Sequence, residues 1–283
     1  MTWADYSLSL HERTHVMGIL NVTPDSFADG GLHFQTEQAI EHGLAMARDG
    51  ADIIDVGGES TRPYAEKVSS RDELARVIPV IEALSQELTI PISIDTYKAE
   101  VANQALKAGA SIINDISALR FDPHMIPLAE EAGVPVIIMH MKGTPADMQR
   151  NPVYGNLIPE IISFLRDALD AAIRGGIREE MLIIDPGIGF GKTFDHNLEI
   201  IRDLTKFKEL GSPILLGSSR KAFIGHIINR EPSDRDTGTM ATVAAGVLNG
   251  AHIVRVHNVK MAVETVQMMD AIKRGSVGMG EGK

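Results

Sequence analysis

Short runs of β-branched and other apolar residues recur along the whole chain, and each run is bounded by glycine, proline or polar residues. Runs of this kind are typical of buried parallel strands, which carry apolar side chains on both faces. They predict eight strands, at residues 16–20, 52–56, 92–95, 112–114, 136–139, 182–185, 214–217 and 253–256. This repetition restricts the fold more than any other feature of the sequence.

The segments between these strands carry apolar residues at three- and four-residue intervals, which is the spacing of one face of a helix. Residues 71–88 and 158–173 are the clearest examples. Ser70, followed by Glu73 three residues later, predicts a capping box at the start of the first of these helices. Strands that alternate with helices indicate the α/β class.

The regular spacing of these units favours one closed barrel. Gly50, Gly109 and Gly250 each precede a predicted strand, where a glycine can end the preceding helix in the left-handed conformation. No linker rich in proline, glycine or serine divides the 283 residues, and barrels of about 250 residues form single domains. An open doubly wound sheet is the alternative. We predict a single-domain (β/α)8 TIM barrel over residues 1–283, with an N-terminal extension at 1–14 and a disordered tail at 275–283.

Bulk composition excludes several classes of protein. The net charge of −11 repels polyanions and the 27 lysine and arginine residues are dispersed, so we expect no nucleic acid partner. The longest apolar run, 134–139, is too short to cross a bilayer, and residues 1–15 lack the basic leader and apolar core of a signal peptide. The absence of cysteine excludes disulfides and thiolate metal sites. We expect no membrane association and a cytoplasmic location.

Polar and charged residues follow nearly every predicted strand. In a barrel, the carboxyl ends of the strands and the loops after them form the active site. A single Asp or Asn at such a position is commonly only a helix cap, but recurrence at the same end of nearly every strand favours a binding site. In chain order these ends offer Asn21, 57–62, Asp95, Asn114 with Asp115, His140, Asp185, 218–221, and Arg255 with His257.

Two chemical groups can be separated within this set. Guanidinium and imidazole groups bind phosphate oxygens, and the last two strands of a barrel commonly hold a phosphate; the residues predicted to bind an anion are Arg62, Arg255 and His257, with Asn21. Carboxylate, amide and ammonium groups can read the donors and acceptors on the edge of a flat heterocycle; the residues predicted to do so are Asp95, Asn114, Asp185 and Lys221. The sequence thus predicts a substrate in which a nitrogen-rich ring carries a diphosphate.

Several well-known motifs are incomplete in this chain. The stretch 187–193 resembles the end of a P-loop, but Pro186 stands where that motif needs its first glycine. Lys192 replaces the last glycine of the dinucleotide-binding fingerprint. A glycine-rich turn that lets the backbone approach a ligand is the favoured interpretation. Schiff-base chemistry at Lys221 and a Ser-His-Asp triad stay open on residue types alone, although no G-x-S-x-G elbow is present.

These polar residues lie in a series of motifs that resembles the dihydropteroate synthase family of pterin-binding enzymes. The two most specific motifs are MGILNVTPDSF at 17–27 and DVGGESTRP at 55–63. The motifs IDT, IND, MHM, DPGIGFGK, SRK and RVH follow in order at 94–96, 113–115, 139–141, 185–192, 219–221 and 255–257. The resemblance therefore extends from the first predicted strand to the last.

The resemblance implies a transferase of folate biosynthesis that joins a dihydropterin diphosphate to 4-aminobenzoate, releases diphosphate and is a target of sulfonamides. It implies that the pterin is bound by Asp95, Asn114, Asp185 and Lys221, and the diphosphate by Arg62, Arg255 and His257. Further substrate contacts are implied for Thr61, Gly217 and Ser219. The catalytic set is then Arg62, Lys221, Arg255 and His257.

The same resemblance implies a cofactor, a partner and two lids. Asn21 would help to position a magnesium ion, which accepts one or two protein oxygens together with substrate phosphates. A second copy of the chain would form a homodimer. The loops at 22–31 and 60–67 would be mobile lids that complete the aminobenzoate site.

Three residues depart from the family pattern. Ala222 stands where a serine is common, Tyr64 where a glycine is usual, and Asn258 where an aspartate is frequent. We expect these changes to affect substrate affinity rather than the reaction. The rival functions are a folate-binding methyltransferase domain, which has no diphosphate to hold, and a non-catalytic pterin-binding scaffold.

Overall fold

The computed structural model describes residues 1–23, 32–60, 67–145 and 147–276. Its strands are β1 (Thr2–Trp3), β2 (Tyr6–Ser7), β3 (His15–Asn21), β4 (Ile53–Gly57), β5 (Ile92–Asp95), β6 (Ile112–Asp115), β7 (Val136–Met139), β8 (Leu182–Asp185), β9 (Leu215–Leu216) and β10 (Ile253–Val256). Its α-helices are α1 (Leu32–Arg48), α2 (Ser70–Glu87), α3 (Ala99–Ala108), α4 (Met125–Ala132), α5 (Leu157–Arg174), α6 (Phe194–Arg202), α7 (Ala222–Ile228), α8 (Asp236–Leu248) and α9 (Val259–Arg274). No helix within these ranges is long and apolar enough to cross a bilayer.

Strands β3 to β10 form one parallel sheet that closes into a barrel. The order across the sheet is β8-β7-β6-β5-β4-β3-β10-β9. The two outer strands are joined where the backbone N–H of Ile184 donates to Pro213 O at 2.9 Å and Ile184 forms a parallel bridge with Ile214. Eight parallel strands with helices between them confirm the predicted (β/α)8 barrel and exclude the open doubly wound sheet.

Most element bounds agree with the sequence pattern, and two predictions need correction. Strands β5, β7, β8 and β10 have the predicted bounds, whereas β9 contains only two of the four residues predicted for it. The capping box predicted at Ser70 and Glu73 is wrong, because the Ser69 side chain accepts from the Asp72 N–H at 3.1 Å and Ser70 is already helical. The Glu73 side chain instead pairs with Lys98.

Alternation along the strands separates two apolar layers. Residues that point outward from the barrel pack against the helices in the larger cluster, as Ile54 and Val254 do. Residues that point inward at the amino ends of the strands form a second cluster, which contains Met17, Ile53, Ile112, Ile137, Ile183, Leu215 and Ile253. Trp3, Leu8 and Leu10 belong to the same cluster. The N-terminal segment with β1 and β2 therefore covers the amino end of the barrel and leaves the carboxyl ends of the strands for a site.

Candidate active site

The inward side chains change from apolar to polar one layer above this cluster. Because side chains alternate along a strand, the residue two positions further on points into the barrel again. Two positions after Ile53, Ile112, Ile183 and Ile253 stand Asp55, Asn114, Asp185 and Arg255. Asp95 and Asn114 are partners in the β5–β6 pairing, so the polar layer continues around the barrel. The strand ends named from the sequence thus meet at one mouth.

Arg255 links two carboxylates across the barrel. Its Nε donates to Asp55 Oδ2 at 2.6 Å and its Nη2 donates to Asp95 Oδ2 at 2.7 Å. Asn114 Nδ2 donates to the same Asp55 oxygen at 3.1 Å. The sequence had assigned Arg255 to an anion group separate from Asp95, but the two side chains are directly paired, and one cation is shared between two carboxylates.

Asp55 is a site residue that the sequence reasoning missed. The set selected from the end of this strand begins at residue 57, whereas Asp55 lies inside β4 and is fully buried. The available signal was the two-residue period of the strand, because an aspartate in a run such as Ile53–Gly57 must either face the helices or face the barrel interior.

Burial of these carboxylates changes their acidity. Burial raises the pKa of Asp95 to about 7, with Asp55 and Glu73 acting in the same direction and Arg255 opposing them. Burial also raises the pKa of Asp115 to about 6, although its carboxylate accepts the backbone N–H groups of Ser117 and Leu119. The pKa of Asp95 at the mouth is therefore close to neutral pH, while Asp115 lies on the outer side of β6 with Ile113 and does not face the mouth.

Asp185 and Arg255 meet at the same point, as the sequence required. A Cβ atom added to Gly217 would lie 3.7 Å from Asp185 Oδ2 and 4.0 Å from Arg255 Cβ. Asp185 Oδ1 accepts the Gly187 N–H at 2.7 Å. Burial raises the pKa of Asp185, while this N–H, Lys192, Lys221 and Arg255 hold it down. The carboxylate and the guanidinium thus share one opening beside a residue without a side chain.

Lys221 approaches the mouth from the start of α7. Its Nζ lies 4.2 Å from the centre of the Phe190 ring, a cation–π distance. Burial and Arg255 lower its pKa to about 8, while Asp185 and Asp95 act in the opposite direction. Lys221 therefore carries its charge at neutral pH. This charge interacts with those of Arg255, Asp185 and Asp95 at the mouth.

His257 follows β10 and is held by Ser219. Ser219 Oγ lies 2.8 Å from His257 Nδ1 and accepts the His257 backbone N–H at 3.1 Å. Burial, Arg220 and Arg255 lower the pKa of His257 to about 3, so the ring is neutral at pH 7. Asn258, one of the departures from the family pattern, donates from Nδ2 to Asp236 Oδ2 at 2.8 Å and lies behind the site. Ala222 is the first residue of α7.

A buried lysine supports the glycine-rich turn after β8. Lys192 Nζ lies 2.9 Å from His140 Nδ1 and 3.0 Å from Phe190 O, and the side chain is buried. Burial lowers its pKa to about 7. The sequence motif contains this lysine, but its partner His140 comes from another strand, so only the fold reveals the pair.

A second cluster of charges joins the segment after β4 to the start of α3. Lys98 Nζ donates to Glu59 Oε2 at 2.5 Å and to Val68 O at 2.7 Å, and it also contacts Glu73. Tyr97 donates from its hydroxyl to Glu59 Oε1 at 3.0 Å. These contacts connect the backbone at residue 68 to the strand end at residue 59.

Some predicted site residues cannot be placed in the structure. Thr61, Arg62 and Tyr64 lie outside the described residues, as do most of the two predicted lids, 22–31 and 60–67, and most of the tail 275–283. Asn21 is the last residue of β3 and is half-buried beside Gly57 of β4. Within the described ranges, no three His, Asp or Glu side chains are grouped as metal ligands.

A surface cleft of about 530 Å³ lies elsewhere on the barrel. It runs between α5, α6 and residues 204–210, and its lining includes Ile158, Arg166 and Glu209. None of the strand-end residues lines it. The chemistry is therefore concentrated at the mouth of the barrel rather than in this cleft.

The chain matches known proteins over nearly its whole length. Residues 17–257 match the family of pterin binding enzymes. The dihydropteroate synthase of Bacillus subtilis (strain 168) is 50% identical over 275 residues, which cover 97% of this chain and 94% of that protein. The dihydropteroate synthase of Yersinia pestis, solved in complex with a sulfonamide drug, superposes with a TM-score of 0.92 at 42% identity and covers 97% of this chain and 99% of its own.

Two further structures of a relative contain ligands. The dihydropteroate synthase of Xanthomonas albilineans was solved with 4-aminobenzoic acid (TM-score 0.89, 44% identity, 94% of this chain and 95% of that chain). The same enzyme was solved with 7,8-dihydropteroate (TM-score 0.86, 42% identity, 94% and 95%). Since both the family match and these identities extend over the entire barrel, the chain belongs to the pterin-binding enzyme family, among the dihydropteroate synthases.

Proposed function

We propose that this chain joins (7,8-dihydropterin-6-yl)methyl diphosphate to 4-aminobenzoate and releases 7,8-dihydropteroate and diphosphate. The observation that carries the proposal is the meeting of Asp185, Lys221 and the Asp95–Arg255 pair at one mouth. A flat ring with donors and acceptors on its edge matches these groups. The relatives named above are dihydropteroate synthases, and the structure of one of them was solved with 7,8-dihydropteroate.

The pterin is recognised by Asp95, Asn114, Asp185 and Lys221. Asp185 has a carboxylate oxygen beside the bare backbone of Gly217, where a flat ring can lie without meeting a side chain. Carboxylates accept the N–H groups of an amidine-like edge, and the Lys221 ammonium donates to a ring carbonyl. Phe190, below Lys221, adds an apolar surface.

The diphosphate is held by Arg255, His257 and Arg62. Arg255 uses Nε and Nη2 for Asp55 and Asp95, which leaves Nη1 for a phosphate oxygen. The neutral His257 ring contributes one N–H donor. Arg62, from the segment outside the described residues, supplies a further guanidinium.

Magnesium fits the proposed site as an ion that binds together with the substrate diphosphate, rather than as an ion held by the protein alone. Asn21 offers an amide oxygen at the mouth, and the described residues lack a carboxylate cage, so most of the ligands would be diphosphate oxygens and water. When bound, the ion neutralises charge on the leaving diphosphate.

The reaction is a substitution at the methylene carbon of the pterin. The C–O bond to the diphosphate breaks, the electron-rich ring stabilises the carbon cation, and the amine nitrogen of aminobenzoate forms the new bond and then loses a proton. The amine is already neutral at pH 7, so the site needs no strong base. The main task of the side chains is to stabilise charge on the leaving group.

The chain also carries apolar surface suited to a second copy. Along α9, Val266 is buried, and Val263 and Met269 are partly buried against the core. Met261 and Met268 are exposed, the latter at 63%, and Ile272 on the same helix is 55% exposed. This surface and the family support a homodimer, which light scattering would test. The proposed location is the cytoplasm, with which a chain that lacks cysteine is compatible.

The test is a diphosphate-release assay with each substrate omitted in turn. We expect release only when both dihydropterin diphosphate and 4-aminobenzoate are present, together with magnesium. Diphosphate release without aminobenzoate, or methyl transfer from a methylated folate, would contradict the proposal and favour one of the rival functions.

A further inference from the structure

Asp55 lies beneath the mouth rather than in it. It is fully buried in the middle of β4, and it is paired in register with Ile19 of β3 and Ser93 of β5. Its Oδ2 accepts hydrogen bonds from both Asn114 and Arg255, while its Oδ1 has no hydrogen-bond partner among the described residues. Asp55 therefore touches two residues that face the substrate without needing to touch the substrate itself.

The contact with Asp55 determines which end of the Asn114 amide faces the substrate. A carboxylate oxygen only accepts hydrogen bonds, so the atom of Asn114 that lies 3.1 Å from Asp55 Oδ2 must be the NH₂ nitrogen. The carbonyl oxygen Oδ1 is the other terminal atom of the amide and points away from Asp55. Asn114 is 5% exposed whereas Asp55 is fully buried. The side of the amide that points away from Asp55, which carries Oδ1, is therefore the side left for a ligand, and it offers an acceptor.

The same carboxylate holds the plane of Arg255. Hydrogen bonds from Nε to Asp55 at 2.6 Å and from Nη2 to Asp95 at 2.7 Å fix two sides of the guanidinium. Two carboxyl groups share this one cation, so hydrogen-bond acceptors predominate in this layer. Such a layer favours a ligand edge that donates hydrogen bonds.

We infer that Asp55 is a positioning residue for the pterin substrate: it turns Asn114 so that a carbonyl oxygen, not an amide nitrogen, meets the ring, and it holds Arg255 in the plane that this ring requires. The inference rests on the proposed function for the identity of the ligand. Asp55 is buried and lies outside the set of substrate contacts, yet it decides which pattern of donors and acceptors the site accepts.

The alternative is that Asp55 serves stability alone, since breaking a buried ion pair leaves an uncompensated charge. The two roles differ in what they change. A loss of stability alone would weaken the binding of both substrates equally or of neither, when binding is measured well below the melting temperature. Loss of the Asn114 orientation would weaken the pterin selectively.

Three variants and one control separate these roles. Asp55→Asn keeps an oxygen that can accept from Asn114 and Arg255, and its NH₂ group can occupy the place of the unbonded Oδ1. Asp55→Ala removes both acceptors, and Asp55→Ser, which is too short to reach either partner, replaces it if the alanine variant does not fold. Ser93→Ala is the matched control, because Ser93 is the buried register partner of Asp55 and its Oγ has no hydrogen-bond partner among the described residues.

The readouts are KM for each substrate, kcat, and the Kd of 6-hydroxymethylpterin measured by calorimetry without turnover. For Asp55→Ala we expect the pterin KM and this Kd to rise about tenfold, while the aminobenzoate KM changes by less than about twofold. Asp55→Asn should recover pterin affinity to within about threefold of the native chain. Ser93→Ala should leave both substrates unaffected.

Three results would overturn the inference: a pterin Kd for Asp55→Ala or Asp55→Ser equal to that of Ser93→Ala, equal losses for both substrates, or no recovery in Asp55→Asn. Because the Kd measurement needs no turnover, it tests Asp55 even in a chain that released no diphosphate. A chain that released no diphosphate would contradict the proposed function by itself, so failure of the proposed function and failure of the inference about Asp55 are distinguishable.

Discussion

Ser219 Oγ lies between two nitrogen atoms of His257, 2.8 Å from Nδ1 and 3.1 Å from the backbone nitrogen. The backbone N–H can only donate, so it uses a lone pair of the hydroxyl oxygen, and we assign the hydroxyl proton to the contact with Nδ1. Burial lowers the pKa of His257 to about 3, so the ring has a single proton at pH 7. With Nδ1 acting as an acceptor, that proton lies on Nε2. Ser219 thereby gives His257 a defined donor, Nε2–H, which suits an anion.

The first prediction concerns Ser219→Ala. Without the hydroxyl, the His257 ring loses the contact that fixes its tautomer and orientation, and a lost hydrogen bond of about 1 kcal/mol corresponds to a weakening of several fold. We expect the inhibition constant of inorganic diphosphate to rise about fivefold to tenfold. Ser218→Ala is the control, since Ser218 is bonded to Thr242 Oγ1 at 2.8 Å and not to His257. Equal inhibition constants in the two variants would contradict the assignment.

The second prediction concerns the pH dependence of stability. Lys192 has a pKa lowered by burial from 10.5 to about 7. Between these values the unfolded chain binds a proton that the folded chain lacks, so the free energy of unfolding contributed by Lys192 rises with pH from about 7 to about 10.5. This contribution is lost progressively as the pH falls from about 10.5 to about 7, and it changes no further below pH 7.

Lys192→Met should therefore flatten the plot of melting temperature against pH between about 7 and about 10. Lys260→Met, on the exposed surface of α9, is the matched control and should leave the slope of the native chain in place. A slope in Lys192→Met that parallels the control would mean that Lys192 does not fold in its neutral form.

The sequence predicts the barrel well because its strands are buried on both faces. Runs such as 136–139 and 182–185 have no polar residue before their last position, and their bounds coincide with those of β7 and β8. The strand ends are equally readable, since Asp185 and Arg255 are polar residues at the ends of apolar runs. Their convergence follows from the parallel arrangement of the strands.

The sequence does not decide features that depend on contacts between distant segments. Ser69 and Ser70 each stand three residues before an acidic residue, Asp72 and Glu73, so local pattern alone cannot select the cap. Burial of Glu73 against Lys98 resolves the choice, because the Glu73 side chain cannot then accept the backbone N–H of a capping residue at the start of α2. Local pattern does not reveal the role of Asp55 for a similar reason, since its partners Asn114 and Arg255 come from β6 and β10.

The third prediction tests the cover at the amino end of the barrel. Trp3 is 4% exposed and packs in the cluster that contains Met17 and Ile253. Replacement of a buried tryptophan by alanine costs about 3–5 kcal/mol. We expect Trp3→Ala to lower the free energy of unfolding by this amount in urea titrations, with KM for both substrates unchanged because the cluster lies at the end opposite the site.

The exposed control for this prediction is Val153→Ala, at a side chain that is 60% exposed. Surface substitutions of this kind change stability by less than about 0.5 kcal/mol. A pterin KM for Trp3→Ala that differs from that of Val153→Ala would show that the two ends of the barrel are coupled.

The last prediction compares two glycines that share a backbone conformation and differ in their surroundings. Gly187 has φ of +72° and Gly211 has φ of +76°, so an alanine at either position carries the same left-handed strain of about 1–2 kcal/mol. A Cβ on Gly211 would meet nothing within 4 Å, whereas a Cβ on Gly187 would lie 1.9 Å from the carbonyl oxygen of His140. Gly187→Ala must therefore move backbone as well as bear the strain.

In urea titrations we expect Gly211→Ala to lose only the stability that this strain costs, and we expect its pterin KM to be unchanged. Gly187→Ala should lose clearly more stability, and its pterin KM should rise, because the Gly187 N–H that would be displaced donates to Asp185 Oδ1 at 2.7 Å. Two variants of equal stability and equal pterin KM would show that the turn after β8 can yield without moving Asp185. In that case the orientation of Asp185 would have to come from Gly217 and its other neighbours, and the close approach of Gly187 to His140 would serve packing alone.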